Sequence, residues 1–225
     1  SIMEKEIKES GSIHLRRFFC YIVLIFFAVI SLFSFYLLLI NATRAHVDIQ
    51  RGFSLLPGKS FVRNFNNVWN NETILIVHGM VNSLFVSSLT VILSVYFSAM
   101  TAYGIHAYDF RFKKVIFDFI LLIMTIPTQV SALGFVKLIT FMHLKDTFVP
   151  LIIPAIAAPA CFFFMKQYME SSLPMEIIEA ARIDGSSEIH TFNTIIIPLL
   201  KPAIAVQAIF GFTSSWNNYF APSLV

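Results

Sequence analysis

The feature that most constrains this chain is a series of long apolar segments. Residues 18–40 contain no charged side chain, and a helix needs roughly 20 apolar residues to cross a hydrocarbon core about 30 Å thick. Charged residues make up 13% of the 225 and hydrophobic residues 57%, whereas about a quarter of a soluble domain is charged. Lipid cannot hydrogen-bond a bare backbone, so the segments must be helical. The sequence therefore predicts an all-α, polytopic transmembrane helix bundle.

Five segments meet this length requirement. The predicted transmembrane helices are residues 18–40, 75–103, 115–142, 148–165 and 195–215. Residues 1–17 form a tail before the first helix, and residues 41–74 form a loop after it. The first apolar segment is longer than the roughly 7–15 residues of a secretory signal, and no small-residue cleavage site follows it. We therefore predict that it is a retained span.

The distribution of Lys and Arg predicts the orientation, because cytoplasmic segments carry an excess of these residues. With the N-terminus inside, ten of the 16 are cytoplasmic: Lys5, Lys8, Arg16, Arg17, Arg111, Lys113, Lys114, Lys166, Arg182 and Lys201. The outer six are Arg44, Arg51, Lys59, Arg63, Lys137 and Lys145. The tail 1–17 and residues 166–194 are then cytoplasmic, and the loop 41–74 is extracytoplasmic. Five spans place Val225 outside, and we expect a sixth helix after it.

A polar segment at residues 171–194 separates the last two apolar segments. Its sequence predicts two short helices. Ser171 or Ser172 is expected to cap the first helix, and Ser186 or Ser187 the second, because a hydroxyl can accept the unpaired N–H groups of a helix start.

Gly185 lies between these two helices, where a helix end calls for left-handed backbone. Ala180 and Ala181 combine high helix propensity with a shallow surface against which another protein can pack. From these residues alone two interpretations are open. The segment is either an amphipathic element lying on lipid headgroups or a binding surface for a cytoplasmic partner.

The segment resembles a known signature. Glu179-Ala180-Ala181, then three residues, Gly185, nine residues, and Ile195-x-Ile197-Pro198 are similar to the EAA motif of permease subunits in binding-protein-dependent ABC importers. The family usually has Leu at the position of Ile197. Trp216-Asn217-Asn218 also resembles a run in carbohydrate-uptake permeases, with Asn218 in place of the usual acid. The resemblance is to the smaller, maltose-permease-type subunit and covers residues 75–225.

This resemblance implies a type I ABC importer permease with a permease core at 75–225. In the family the EAA segment, here 171–194, is a coupling element that docks on a cytoplasmic ATPase. The implied ATPase-coupling residues are Glu179 as charged anchor, Ala180 and Ala181 as packing surface, Gly185 as turn, and Asp184 and Pro198 within the motif.

The resemblance also implies partners and a location. The partners are a second homologous permease subunit, a cytoplasmic ATPase dimer, an extracytoplasmic solute-binding protein and membrane lipid. The cargo is a sugar or oligosaccharide, and the location is a bacterial inner membrane.

Polar residues within the spans are candidates for the translocation pathway, because leaving them unpaired in hydrocarbon is costly. The candidates are Asn82, Ser83, Gln129, Trp216 and Asn217. For the serines, helix packing is the favoured interpretation, since small residues let helices approach closely.

Residues 52–60 look like a P-loop but depart from the motif. Five residues separate Gly52 from Gly58 where four are required, and Pro57 removes a backbone N–H. We therefore expect no cofactor on this chain, with ATP and Mg²⁺ held by the partner ATPase. The histidines and two cysteines show no metal-ligand spacing, and the +3 charge forms no basic stripe. Neither a metal nor nucleic acid is predicted.

Three alternative functions fit parts of the sequence. An intramembrane enzyme needs a set of polar catalytic groups within the spans, and Asp118 alone does not supply one. A membrane scaffold that anchors a cytoplasmic complex has the same sequence features as a transporter, and only activity separates the two. A permease for a non-sugar solute also stays open, because no residue identifies the cargo.

Overall fold

The computed structural model describes the backbone of residues 2–225 and the side chains of residues 16–225. All regular structure within these residues is helical. The chain forms two units, the first ending at Val77 and the second running from His78 to Val225. Of the predicted tail 1–17, residue 1 and the side chains up to residue 15 lie outside the described residues.

The first unit contains helices α1 (Ile2–Ala42), α2 (His46–Gln50) and α3 (Phe61–Trp69). α1 is continuous, so the predicted tail and first span are parts of one helix. Its apolar part, Arg16–Ala42, has a mean hydropathy of 2.8, and 0% of that stretch is buried inside the chain. A helix that is apolar on all sides needs lipid or another protein around it.

The predicted loop 41–74 is folded rather than extended. Arg44 is 9% exposed and donates a hydrogen bond to the carbonyl of Gly52 at 3.0 Å. The Asn64 amide nitrogen of α3 donates to the carbonyls of Ala42 at 2.9 Å and Arg44 at 2.8 Å. The bond to Ala42 satisfies a carbonyl left open at the end of α1, and the two Asn64 bonds attach α3 to that end of the helix.

The second unit is formed by one long helix and a series of shorter ones. The helices are α4 (Ile76–Ala107), α5 (Lys113–Met124), α6 (Thr128–Phe141), α7 (Val149–Ile152), α8 (Pro159–Ser172), α9 (Met175–Ile183), α10 (Glu188–Thr191), α11 (Ile197–Leu199) and α12 (Lys201–Trp216). Short 3₁₀ segments occupy Ile153–Ile156 and Pro222–Leu224, and Phe192–Ile196 is a π-helical turn.

Three stretches of the described chain are long and apolar enough to cross a membrane: Arg16–Ala42, Ile76–Ala107 and Val149–Ser172. The number becomes five if each of two bent helix pairs is one span. The helices predicted at 75–103 and 148–165 end too early, because α4 continues to Ala107 and α8 to Ser172.

The single helix predicted at 115–142 is broken into two. α5 and α6 meet at an angle of 97°, with residues 125–127 between them. Pro127 has no N–H and clashes with a helical conformation of the preceding residue, so the helix ends before it and a new one starts at Thr128. A second bend of 79° separates Glu188–Leu199 from Lys201–Trp216, within the region predicted as one span at 195–215.

The core of the second unit lies where α4, α8, α9 and the chain around the π-helical turn meet. Its fully buried members are Ala99, Ala102, Met165, Met169, Ile178, Phe192, Ile196 and Leu200. The two alanines let the other elements approach α4 closely. Burying each large apolar side chain contributes about 1.5–3 kcal/mol, so this cluster fixes the position of α9 against α4.

Candidate functional site

The turn after α9 has the geometry predicted for Gly185. Its φ is +79°, and its N–H donates to the Arg182 carbonyl at 3.0 Å. The next N–H, of Ser186, donates to the Ala181 carbonyl at 2.9 Å. This pair of bonds is the Schellman arrangement, which closes a helix with a left-handed residue. The prediction of a left-handed glycine at this position is confirmed.

Of the two predicted helix caps, the one for the second helix is confirmed and the one for the first is wrong. The Ser187 side chain accepts the N–H of His190 at 3.4 Å and caps α10. The prediction for α9 is wrong, because Ser171 and Ser172 are the last residues of α8 and Pro174 is the N-cap of α9. The Ser171 hydroxyl instead donates back to the Tyr168 carbonyl at 3.0 Å.

The two faces of α9 differ sharply in exposure. The inner face buries Ile178 completely and leaves Ala181 only 5% exposed. The outer face is exposed at Glu179, Ala180, Ile183 and Asp184. Ile183 is 86% exposed, and Ile189 of α10, at 72%, adds a second apolar side chain. We call these five residues the outer face.

The prediction that both alanines form a surface for another protein needs correction. Successive helical residues are about 100° apart around the axis. Ala180 therefore points outward while Ala181 packs into the core of this chain. Pro198, also predicted to contribute to coupling, is exposed and lies in α11, directly after the π-helical turn.

A charged contact connects α9, α10 and α4. The Arg182 Nε donates to Glu188 Oε1 at 2.7 Å, and the Tyr103 hydroxyl of α4 donates to Glu188 Oε2 at 2.6 Å. The carboxylate thus accepts one bond on each oxygen, from two different elements. Sequence reasoning missed this group. The only available signals were Arg182 and Glu188 flanking the glycine turn and a tyrosine at the end of an apolar run.

Further contacts join the same loop to the end of α4. Arg182 Nη2 donates to the carbonyl of Ala107 at 3.3 Å, one of the acceptors that a helix end leaves open. The guanidinium carbon is 4.9 Å from the centre of the Tyr108 ring. The hydrogen bond to Glu188 raises the pKa of Arg182, which keeps the guanidinium charged. His106 Nε2 is 3.2 Å from the carbonyl of Leu173.

Aromatic packing continues the contact along α4. The ring of Phe192, 2% exposed, has its centre 5.6 Å from those of both Tyr96 and Tyr103. The Tyr96 hydroxyl donates to the Asn193 side-chain oxygen at 3.1 Å. One side of α4 is therefore attached to the segment that follows α9 over several turns.

A separate cavity of about 480 Å³ lies between α4, α6, the α7–α8 segment and α12. Its polar lining residues are hydroxyl or amide side chains: Thr90, Ser94, Thr128, Ser131, Ser214, Ser215 and Asn218. The rest of the lining is aliphatic, aromatic or glycine, with three prolines among it. Such a surface can form hydrogen bonds with a neutral polar solute and supplies no charge to bind an ion.

The predicted pathway residues are close in sequence to residues that line this cavity, but they do not line it themselves. Asn82 and Gln129 are exposed, and Ser83 is half-buried. Trp216 stacks on Phe212 with ring centres 5.7 Å apart, and the Asn217 amide donates to the Thr213 carbonyl at 2.9 Å. Their role in transport stays a prediction.

Comparison with known proteins identifies the family. Residues 94–225 match the model of the binding-protein-dependent transport system inner membrane component. This range covers the C-terminal part of α4, the glycine turn and α12. The chain belongs to this family. The permease also resembles individual members in sequence.

The arabinooligosaccharides transport system permease protein AraQ of Bacillus subtilis (strain 168) is 32% identical, over 89% of this chain and 73% of AraQ. The sn-glycerol-3-phosphate transport system permease protein UgpE of Yersinia pestis bv. Antiqua (strain Antiqua) is 28% identical, over 92% of this chain and 75% of UgpE.

The fold matches a solved structure as well. The permease superposes with a TM-score of 0.78 on a chain of a bacterial ABC transporter involved in the import of the acidic polysaccharide alginate. The identity is 24%, and the match covers 89% of this chain and 70% of that one. The predicted fold class, an all-α bundle of the ABC importer permease kind, is confirmed.

Proposed function

We propose that this permease forms, with a second homologous permease chain, the path by which a sugar or oligosaccharide enters a bacterial cell. An extracytoplasmic solute-binding protein delivers the cargo. A cytoplasmic ATPase dimer, which holds ATP and Mg²⁺, docks on the outer face and drives the transport cycle. The chain itself has no catalytic role in this proposal.

The observation that carries the proposal is the outer face next to the Gly185 turn. Two isoleucines are largely exposed there, at 86% and 72%, while the inner side of the same short helices is fixed to the core. Large exposed apolar side chains on a well-anchored element are typical of a binding surface. Glu179 and Asp184 on this face offer charges for salt bridges with a basic partner.

The proposed orientation places α9 and α10 in the cytoplasm. Ten of the 16 Lys and Arg residues then face inward, in agreement with the positive-inside rule. The N-terminus is cytoplasmic in this arrangement, and α2 and α3 are on the side of the solute-binding protein.

The cargo is proposed from the relatives and from the cavity. AraQ is named for arabinooligosaccharides, and hydroxyl side chains line the cavity of this chain. Sugar hydroxyls both donate and accept hydrogen bonds, as do Ser and Thr side chains. The name of UgpE supports a second candidate, sn-glycerol 3-phosphate. The uncharged lining favours the neutral sugar, because a phosphate dianion calls for Arg, Lys or clustered N–H donors.

Reconstitution of the complete complex in liposomes tests the proposal. We expect ATP hydrolysis to rise when the binding protein is loaded with arabinotriose and to stay low with the empty binding protein. The same measurement with the binding protein exposed to sn-glycerol 3-phosphate tests the second candidate cargo. A complex that assembles but shows no stimulation by any loaded binding protein would identify the chain as a scaffold and contradict the proposal.

A further inference from the structure

Glu188 lies at the meeting point of the elements that a docked ATPase would move and the long helix that would have to respond. Its two carboxylate oxygens accept hydrogen bonds from Arg182 of α9 at 2.7 Å and from Tyr103 of α4 at 2.6 Å. Tyr103 and Glu188 are 85 positions apart in sequence, so this bond joins separate elements. Both bonds involve an ionised group, which makes them stronger than bonds between neutral partners.

We propose that the Glu188 carboxylate is the link through which movement of α9 reaches α4, with Arg182 and Tyr103 as its two positioning residues. This inference rests on the proposed function, since it presupposes that an ATPase moves α9. It adds a specific route: α9 to Arg182, Arg182 to Glu188, and Glu188 to the α4 helix through Tyr103.

The surroundings of the link favour a role in transmission. Tyr103 is 4% exposed, and its ring is held against Phe192. Its hydroxyl can therefore follow a movement of Glu188 only if α4 moves as well. Arg182 has a second attachment, the carbonyl of Ala107 at the end of α4. A displacement of α9 thus acts on α4 at two points, one at Tyr103 and one at its last residue.

The Arg182–Glu188 pair is partly open to solvent, with side-chain exposures of 34% and 37%. Exposed ion pairs contribute little to stability. Removing this pair therefore leaves folding nearly unchanged, while the hydrogen-bonded route from Arg182 through Glu188 to Tyr103 is broken. The apolar core of Ile178, Phe192 and Ile196 still holds the loop in place.

The test follows α4 directly. Cys20 and Cys161 are replaced by Ser and Ala, and Thr101→Cys, at an exposed position of α4, carries an environment-sensitive fluorophore in the complete reconstituted complex. The measured quantity is the emission change when ATP is added, a readout that needs no transported solute. Association of the ATPase is measured by co-purification.

Two variants break the link with little change of shape. Glu188→Gln removes the charge and replaces one of the two acceptor oxygens with an NH2 group, so that Arg182 and Tyr103 cannot both be accepted. Tyr103→Phe removes only the hydroxyl and keeps the ring against Phe192. We expect the ATP-induced emission change to fall about fivefold or more for Glu188→Gln, and less for Tyr103→Phe. The double variant should be no worse than Glu188→Gln, because both changes break the same link.

Asp109→Asn is the matched control. Asp109 pairs with Lys113 at 3.0 Å near the same end of α4, but this pair does not involve α9 or α10. We expect its response to equal that of the unmodified complex. A normal response in both link variants overturns the inference, as does loss of ATPase association in them, which would show a folding role. If the unmodified complex itself gives no emission change with ATP, both the proposed function and this inference fail.

Discussion

The loop after α8 and the cavity beside α12 use polar side chains in opposite ways. In the loop, a carboxylate, a guanidinium and a phenol form short bonds of 2.6 and 2.7 Å between separate elements. In the cavity, Ser94 donates to a carbonyl of its own helix at 3.1 Å, and Thr90 reaches a neighbouring carbonyl only at 3.5 Å. The hydrogen bonds to the ionised Glu188 fix the loop elements in one arrangement. The hydroxyl oxygens of the cavity keep lone pairs available to accept hydrogen bonds from a solute.

This comparison suggests a division of labour within one unit of the chain. The loop has the properties needed to receive and pass on a movement, because its inner side is fixed and its outer face is free. The cavity has the properties needed to admit a neutral solute without binding it tightly. Changes in the loop should therefore affect the coupling of transport to ATP hydrolysis, and changes in the cavity should affect transport alone.

The largest effect is expected at Gly185. A β-branched residue is strained at a φ of +79°, at a cost of about 1–3 kcal/mol, although nothing lies within 4 Å of where its Cβ would be. Gly185→Val should leave the protein in the membrane but reduce transport per ATP hydrolysed by about tenfold. Transport and ATPase assays on the same proteoliposomes give this ratio.

Gly185→Asn is the matched control for backbone conformation, since Asn tolerates the left-handed region better than any β-branched residue. It should retain most of the transport per ATP. Equal activity of the Val variant and the unmodified protein would show that the left-handed turn is not needed for coupling.

A smaller effect is expected in the cavity. Ser214→Leu fills part of it with an apolar side chain and removes a hydroxyl from its lining. We expect transport to fall by a few-fold, while stimulation of ATP hydrolysis by the loaded binding protein persists.

Thr213→Leu provides the comparison, because Thr213 is the neighbouring residue on α12 and lines a different groove with Ser88 and Val91. Its transport should stay close to that of the unmodified protein. If the two variants behave alike, the cavity is not on the solute path and the contrast between loop and cavity is lost.

Structural features that are determined by local interactions could be predicted from the sequence. The apolar composition of the spans predicts membrane helices, and the spacing around Gly185 predicts a helix end that the Schellman bonds confirm. The helix break at Pro127 also has a local cause, because proline has no N–H and disfavours a helical conformation of the preceding residue. The angle of 97° between α5 and α6 has no local cause, because it depends on how these helices pack on others.

The missed features depend on contacts distant in sequence. Which alanine of the pair faces inward is decided by the rotation of α9 on the core, and this rotation buries Ala181 and exposes Ala180. The bond from Tyr103 to Glu188 joins elements that are adjacent only after folding. The end of α8 was misplaced because polar serines look like a helix start, although here they continue a helix already formed.

The measurement that tests the account most directly is cross-linking from Ala180. In a chain without Cys20 and Cys161, Ala180→Cys places a thiol on the outer face, and Ala181→Cys places one in the core as its matched control. We predict that a short cysteine cross-linker joins position 180, and not position 181, to the cytoplasmic ATPase. We also predict that a membrane-impermeant thiol reagent added to intact cells does not label position 180. Labelling of position 180 from outside the cell, or equal cross-linking at both positions, would contradict the claim that the outer face of α9 is the docking surface for the ATPase.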